Sequence, residues 1–513
     1  MTYMLIKSVG NKIKKHPHIF GWFFWIALFI PPVLMWGNKQ SLVATLLSAI
    51  IFIPAFLNRG VFMLFCVFLI FAGLAHLVYY FALRSDMDVF FWMTLNQTNI
   101  EESFDFIKSY PYNNWLKLVA WLFFASLSVK YLLSIYTSLA GKITKISGLI
   151  ILVVFGAWLI ERAINDEDKS FIAKINKIYP LRLATSALMH DAMAANMDVV
   201  PALENSESKP KADMIVLVIG ESASASRWSS LGYSGNHTTR PLDKFQSSTI
   251  VKNVVSNGNN TAMTMPVLLT GKEVSQFSSE GVSTYLDYAK KAGFHTLTYS
   301  NQNVFDANEN FFHMAFIKRS NDFRKVQDGS MDEALQVGVQ EAIKYAHNGE
   351  SILLTLHTIG SHPVVSKRYP KSMEKFNDPY DNSILYTSSL LEDWINLLQN
   401  HDNKRIILIY ISDHGLVTPE CGANYSHGFS KSAFQVPLFI WANENFLKTN
   451  KSWFDMALKE AHTTHDNRIF FSTILEILGY NTKYPSITQK FDASTIKILD
   501  KNYVDQFRNS QCK

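Results

Sequence analysis

No stretch of this chain concentrates lysine and arginine. Its 48 Lys and Arg face 43 Asp and Glu over 513 residues, a formal charge of +5. None of that excess gathers into a dense basic patch, which excludes a nucleic-acid binder, since such a patch is the footprint that phosphate backbones select. Internal repeats and low-complexity tracts are missing too. Cysteine is scarce, at three residues. Cys66 lies inside an apolar run, so Cys421 and Cys512 are the only pair in the polar part. They are free to pair in an oxidising compartment, and the sequence does not decide whether they do. No A-x-A cleavage site follows the first apolar stretch, which is also too long and too aromatic for a cleaved signal peptide.

What the chain does have is apolar sequence, unevenly placed. Hydrophobic residues make up 48% and aromatics 13%, high for a soluble protein, and the excess sits in the first third. The length is too great for one ordinary domain. Five stretches are long enough, or nearly so, to cross a bilayer: Ile19–Trp36, Ser41–Leu57, Val61–Leu83, Trp115–Leu139 and Ile146–Ile160. Lys7, Lys12, Lys14 and Lys15 precede the first and hold the N-terminus in the cytoplasm by the positive-inside rule. Arg59, Lys142 and Lys145 fall in loops on the same side. Asp86, Asp88, Glu101, Glu102 and Asp105 occupy a loop on the other, with Lys39 a mild exception. An odd number of spans places everything after Arg162 outside the cytoplasm. A sixth, weaker span would reverse this, and the charge bias at most loops argues against it.

From Asn165 to about Lys211 the chain is mixed and charged, and "NSESKPKAD" reads as a linker. Phe171, Ile172, Ile175 and Ile178 have helical spacing suited to a membrane surface. The expected domains are therefore a five-helix membrane domain over 1–163, a linker with an interfacial helix over 164–211, and a third domain over 212–513. In that third domain short continuous apolar runs read as buried strands: Met214–Gly220, Ser351–His357, Arg405–Ser412 and Val436–Trp441. Helical patterns lie at Met331–His347, Tyr380–Asn400 and Asp466–Leu478. This alternation predicts an α/β fold with a mainly parallel sheet covered on both faces.

In such sheets the working residues collect just past the C-terminal ends of strands. Glu221 and Ser222 follow the first run, and Asp413, His414 and Gly415 follow "RIILIYIS". "SILLTLH" ends in His357 and leads to His362. Acids and histidines at three strand ends are the donor set of a metal site, and zinc accepts both in a tetrahedral arrangement with one position kept for the reacting group. Singly each is weak: a Glu after a strand is often a helix-start residue, and a histidine such as His427 is usually satisfied by its surroundings. "NGNNTAMTMP" places Thr261 beside a polar turn. Such a Thr commonly bonds its own backbone; with Glu221 and "SDHG" in the same chain, it reads instead as a nucleophile. His465 precedes a helix that Asp466 is suited to cap, and that helix reads as structural.

Four stretches, "VIGESASASRWSSLGY", "NGNNTAMTMPVLLTG", "HTIGSHPVVSKRYP" and "ISDHGLVTPECGANYSHGFSKSAFQVPLFIW", resemble the motifs of the bacterial phosphoethanolamine transferases, in the sulfatase-like branch of the alkaline phosphatase superfamily. The resemblance covers nearly the whole chain. It implies five inner-membrane helices, a periplasmic catalytic domain, and Zn²⁺ held by Glu221, Thr261, Asp413 and His414, with Thr261 also the nucleophile. It places His362 in "GSHP" and His427 in "YSHG" near the transferred head group, and Glu102 in "QTNIEES" at an acidic position facing the active site. The donor it implies is phosphatidylethanolamine, a membrane lipid. The acceptor is lipopolysaccharide, at a core heptose or a lipid A phosphate, or another surface glycan.

The chemistry of the residues agrees. A Thr hydroxyl is a poor nucleophile until a bound Zn²⁺ lowers its pKa. Attack on the lipid phosphodiester would leave phosphoethanolamine on Thr261 and release diacylglycerol, with His427 or His362 protonating the leaving group. The chain departs from lipid A-modifying members, which carry several disulfides in this domain. Asn259 and Asn260 stand beside the Thr, and Val267 to Leu269 replace a Cys-containing stretch. "SHP" for "SHG" is closer to members acting on core sugars or glucans. The alternative within the superfamily is a phosphoglycerol transferase acting on periplasmic glucan or a related polymer. Sulfate-ester hydrolysis is excluded because the Cys/Ser-x-Pro-x-Arg motif is absent.

Overall fold

The computed structural model describes residues 15–31, 39–83, 91–92, 94–95, 100–165, 175, 178–201, 203, 209–277, 281–302, 311–327, 329–399, 404–422, 424–498, 501–507, 510 and 512. Lys7, Lys12, Lys14, Trp36, Asp86, Asp88, Phe171, Ile172 and residues 205–208 of "NSESKPKAD" lie outside them. Two compact units divide the chain, Met1–Trp92 with Pro111–Asp191, and Met93–Tyr110 with Ala192–Lys513.

The first unit is helical. Three of its helices, Arg59–Leu83, Tyr112–Ser134 and Lys142–Arg162, are long and apolar enough to cross a membrane. At 1.5 Å per residue they span about 31–37 Å, enough for a hydrocarbon core of about 30 Å. Shorter helices occupy Pro17–Ala27 and Lys39–Ile51, the latter followed by a 3-10 turn at Ile53–Leu57, where the first two spans are expected. Apolar residues lie on both the inner and outer faces. Trp25, Phe56 and Phe62 are buried together, while Leu64 (67% exposed), Phe123 (67%) and Ile143 (82%) point outward. That is the pattern of helices whose solvent is lipid. Small residues set the close approaches: a Cβ on Gly73 would come within 2.6 Å of the Trp121 ring. Two buried polar groups find partners inside the unit, Trp25 Nε1–H donating to the Ala49 carbonyl at 2.9 Å and Tyr136 O–H to the Phe56 carbonyl at 2.8 Å.

The second unit is built on one eight-stranded sheet. Its strands are β1 (Met214–Gly220), β2 (Thr249–Val255), β3 (Phe294–Ser300), β4 (Asp322–Lys325), β5 (Ser351–His357), β6 (Ile406–Ser412), β7 (Gln435–Ala442) and β8 (His465–Asp466), in the order β4-β3-β5-β1-β6-β7-β2-β8. Pairing is parallel from β4 to β6, and β7 alone runs against its neighbours β6 and β2. Because β2 opposes β7, it runs the same way as β1 and β6. The C-terminal ends of β1, β2, β3, β5 and β6 therefore share one edge, and the register aligns Gly220 with Ser412 and Ser300 with His357.

The four expected strands are present, and β1 and β6 are buried at every residue. Alternate residues of β1, β5 and β6 (Met214, Val216 and Val218; Ile352, Leu354 and Leu356; Ile406, Leu408 and Tyr410) pack on the helices Gln336–His347 and Pro379–Gln399. Ile215, Leu217, Leu353 and Ile407 between them are fully buried as well, as a doubly covered sheet requires. The helix expected over Asp466–Leu478 runs Arg468–Ile477. Asp466 is not its N-cap residue, which is Asn467. Asp466 belongs to β8 and reaches forward, accepting from Arg468 N–H at 3.0 Å.

Candidate active site

Glu221, Thr261, Asp413 and His414 come together at the shared strand edge. Glu221 follows β1. Asp413 and His414 follow β6, the strand paired with it. The 256–260 turn carries the chain from β2 to Thr261, the first residue of the helix Thr261–Thr270. Asn260 caps that helix, its Oδ1 accepting from Met263 N–H at 3.1 Å. The hydroxyl of Thr261 donates to Glu221 Oε2 at 3.1 Å and lies 3.5 Å from His414 Nε2. It is not bonded to its own turn.

Glu221, Asp413 and His414 are buried, and each offers one ligand atom within 4.8 Å of the others. His414 Nδ1–H donates to the Gly415 carbonyl at 2.8 Å, which leaves Nε2 with a lone pair. That nitrogen lies 3.3 Å from Glu221 Oε1 and 3.4 Å from Asp413 Oδ2. Asp413 Oδ2 has no hydrogen-bond donor. Three lone-pair atoms facing one another in a dry site repel unless a proton or cation lies among them. The electrostatics register this. Burial pushes Asp413 up to about 7, with the Glu221 carboxylate adding to the rise. His414 rises to about 9 despite burial, because Asp413 and Glu221 hold its proton. Glu221 is drawn down by His414 against the effect of burial. The donor set and the orphaned Oδ2 fit a divalent metal, and two carboxylates with one imidazole suit zinc.

Ser222 holds the two carboxylates in place. Its hydroxyl donates to Glu221 Oε1 at 2.5 Å and its backbone N–H to Asp413 Oδ1 at 3.0 Å. It does so from a left-handed conformation, φ +59°, rare for a residue with a side chain and typical of a functional constraint. Gln302, just past β3, was not legible as a site residue. Its Nε2 donates to the Thr358 carbonyl at 2.6 Å and lies 3.4 Å from Glu221 Oε2. Its position after a strand at the shared edge is the one sequence signal, and an amide there is not distinctive.

His427 reaches the cluster, its ring centroid 5.0 Å from that of His414, and His362 stands 6.0 Å from His427. Burial and the charges of His414 and His362 push His427 down to about 3, so it is neutral at physiological pH. Its Nδ1–H donates to the Asn259 carbonyl at 3.3 Å. Arg368 binds the His362 carbonyl at 3.0 Å through Nε, fixing the loop that carries it. His357 ends β5 but is not one of the clustered ligands; it packs against Phe316 and Ser300, and burial lowers it to about 4. His465 contacts Thr463 and the Gln489 carbonyl, a structural histidine. Glu102 falls on the helix Ile100–Ser109, and its side chain lies outside the described residues.

Comparison with known proteins places this geometry. A sulfatase family model matches residues 213–480. Phosphoethanolamine transferase EptA of Escherichia coli O157:H7 is 29% identical over 318 residues, 55% of this chain and 56% of the relative. Phosphatidylethanolamine transferase Mcr-1 of Escherichia coli is 27% identical over 311 residues, 53% of this chain and 56% of the relative. The chain thus spans little more than half the length of these curated relatives. Among solved structures, the integral membrane protein lipooligosaccharide phosphoethanolamine transferase A (EptA) of Neisseria meningitidis superposes over 89% of this chain and 92% of its own, with a TM-score of 0.57 at 19% identity, which shows a shared fold. Because the matched family model takes in more than half of the chain, its kinship follows: it belongs to the sulfatase family.

Proposed function

We propose that the protein transfers phosphoethanolamine from phosphatidylethanolamine to a lipopolysaccharide acceptor, a core heptose or a lipid A phosphate, through a covalent intermediate on Thr261. The observation that carries this is the Thr261 hydroxyl, 3.1 Å from Glu221 Oε2 and 3.5 Å from His414 Nε2, at the N-terminus of a helix. The ligand atoms are buried while Thr261 is partly exposed, so a substrate can reach the oxygen. The names of the relatives support the group transferred. The family name leaves the ester open, and the missing Cys/Ser-x-Pro-x-Arg motif argues against sulfate.

Glu221, Thr261, Asp413 and His414 would hold Zn²⁺, which when bound lowers the pKa of a hydroxyl and neutralises charge on phosphoryl oxygens. The residues do the rest. Glu221 accepts the Thr261 proton. The freed oxygen attacks phosphorus, and the bond from phosphorus to the glycerol oxygen breaks, releasing diacylglycerol with a proton from a histidine. His427 and His362 are the two candidates for that histidine. An acceptor oxygen then displaces Thr261 from phosphorus, giving any proton it carries to the histidine that lost one, and the Thr oxygen recovers its proton from Glu221. The helix N-terminus favours the negative charge that develops at both stages.

The donor is a bilayer lipid, and the chain carries helices that cross one. We read it as a multi-pass inner-membrane protein with five spans over 1–163, a linker over 164–211 and a periplasmic catalytic domain over 212–513; Glu102 is kept as a substrate-facing residue. The test is mass spectrometry of lipopolysaccharide, split into lipid A and core, from cells expressing the wild type or Thr261→Ala. The reading requires a phosphoethanolamine increment with the wild type only. No increment in either fraction would sink the lipopolysaccharide acceptor.

A further inference from the structure

Asp332 opens a 3-10 turn, Asp332–Leu335, before the helix Gln336–His347. Two adjacent acids at a helix start are ordinary, and the sequence gives no reason to single this one out. The fold uses it differently from its neighbour Glu333. Asp332 is 2% exposed and aims at the strand ends. Oδ1 accepts from Ile359 N–H at 2.9 Å and from Asn301 Nδ2 at 2.8 Å, and Oδ2 accepts from Gly360 N–H at 2.9 Å. Two successive backbone N–H groups closing on one anion make a nest, and Gly360 supplies the turn at φ +49°. Among the described residues no lysine or arginine forms an ion pair with it. Burial pushes its carboxyl up, against the pull of the three donors.

The segment held this way, 358–362, lies directly behind the site. Thr358 N–H donates to the Ile219 carbonyl at 3.0 Å and Ser361 N–H to the Glu221 carbonyl at 2.9 Å. Gly360 is so close that a Cβ there would come within 2.6 Å of the Glu221 carbonyl oxygen. His362 follows at once. Asn301, the third donor, is followed by Gln302, which spans the Thr358 carbonyl and Glu221 Oε2. One carboxylate therefore ties the ends of β3 and β5 together against the end of β1. Only a carboxylate satisfies all three donors. An amide has one oxygen, and its NH₂ would face a backbone N–H.

We propose that Asp332 is a positioning residue for the transfer reaction: it fixes the loop after β5, and through that loop His362 and the backbone of Glu221. This rests on the reading of Glu221 and His362 given above. The test compares full-length wild type, Asp332→Asn, His362→Ala and the double variant in detergent, with a fluorescent phosphatidylethanolamine as donor. Zinc content, melting temperature and hydrogen exchange over 358–362 are measured beside kcat/KM. Asp332→Asn should keep its zinc and its fold. Exchange at 359–361 should rise, and kcat/KM fall, by roughly tenfold or more, the scale of losing buried hydrogen bonds. The double variant should be slower than His362→Ala by less than the factor that Asp332→Asn costs in the wild type, since part of that cost passes through His362. Losses that multiply in the double variant overturn the proposal, as does an unchanged kcat/KM. If Asp332→Asn does not fold, Asn301→Ala deletes one donor and leaves the carboxylate. It should move both quantities the same way by less, and no movement overturns the proposal. If His362→Ala transfers at the wild-type rate, the reading of His362 has failed. The clamp is then judged on exchange alone, and unchanged exchange in Asp332→Asn overturns it.

Discussion

Asp413 Oδ2, buried with no donor, defines what the site lacks when empty. With a metal bound, Asp413 is a ligand; without one, it is a buried carboxylate beside Glu221. Asp413→Asn should therefore change sign with occupancy. In zinc-loaded protein it lowers the melting temperature, because a ligand is lost. In protein stripped with a chelator it raises it, because a buried carboxylate beside the Glu221 charge is removed. Thermal melts with and without zinc check this, and a variant less stable in both states would contradict the metal reading. Lys252 is a second buried charge, on β2. Its ammonium contacts the Glu460 and Ala461 carbonyls and Thr463 Oγ1. Burial lowers it to about 8 from an ordinary value of 10.5, against the pull of Glu460. Between those values the unfolded chain holds the proton and the folded chain does not. Stability should therefore rise with pH from about 8 to 10.5, by at most about 3 kcal/mol. Lys252→Met should remove that slope from the difference between wild-type and variant melting curves, and parallel curves would count against it.

At the scale of elements, the helix Thr261–Thr270 aims the nucleophile. Asn260→Ala loses the cap and should cost about 1 kcal/mol. Transfer should fall further than that cost accounts for, because Thr261 is the next residue, while Asn260→Asp should keep both. Melts and transfer rates on the three proteins check the difference. This helix was not legible in the sequence, since Pro266 and three Thr give it no helical signature. Thr270 Oγ1 bonds the Pro266 carbonyl instead, at 2.6 Å. β1 and β6 were legible because burial on both faces writes a continuous apolar run. β2 was not, because Lys252 interrupts "TIVKNVV" and is made tolerable by the Glu460 and Ala461 carbonyls and Thr463 Oγ1, more than 200 residues away. β3 hid in the same way: its Thr296 and Thr298 are fully buried and bonded to Asn321 and Ser320. For the site, acids and histidines at strand ends were weak singly and legible as a set, and the family motifs drew Thr261 into it although it stands 153 residues from His414. Gln302 and Asp332 were not legible, because they act through backbone contacts that leave no motif.

The whole molecule combines helices long and apolar enough to cross a membrane with a domain that carries a disulfide. The sequence left the pairing of Cys421 and Cys512 open; the structure joins them, as an oxidising compartment permits. The bond closes a long loop, with a separation of 91 residues, and fixes the C-terminus beside Glu420, which pairs with Arg227 at 2.9 Å. Cys512→Ser should lower stability by about 2–4 kcal/mol. A reductant should lower the wild-type melting temperature and leave the variant unchanged. The covalent intermediate on Thr261 can be caught directly. Full-length protein in phosphatidylethanolamine-containing bilayers, without acceptor, is quenched with acid, digested and examined by peptide mass spectrometry. Phosphoethanolamine is expected on Thr261 in the wild type and absent from Thr261→Ala and from chelated protein. A wild type that transfers phosphoethanolamine while its Thr261 peptide stays unmodified would contradict it.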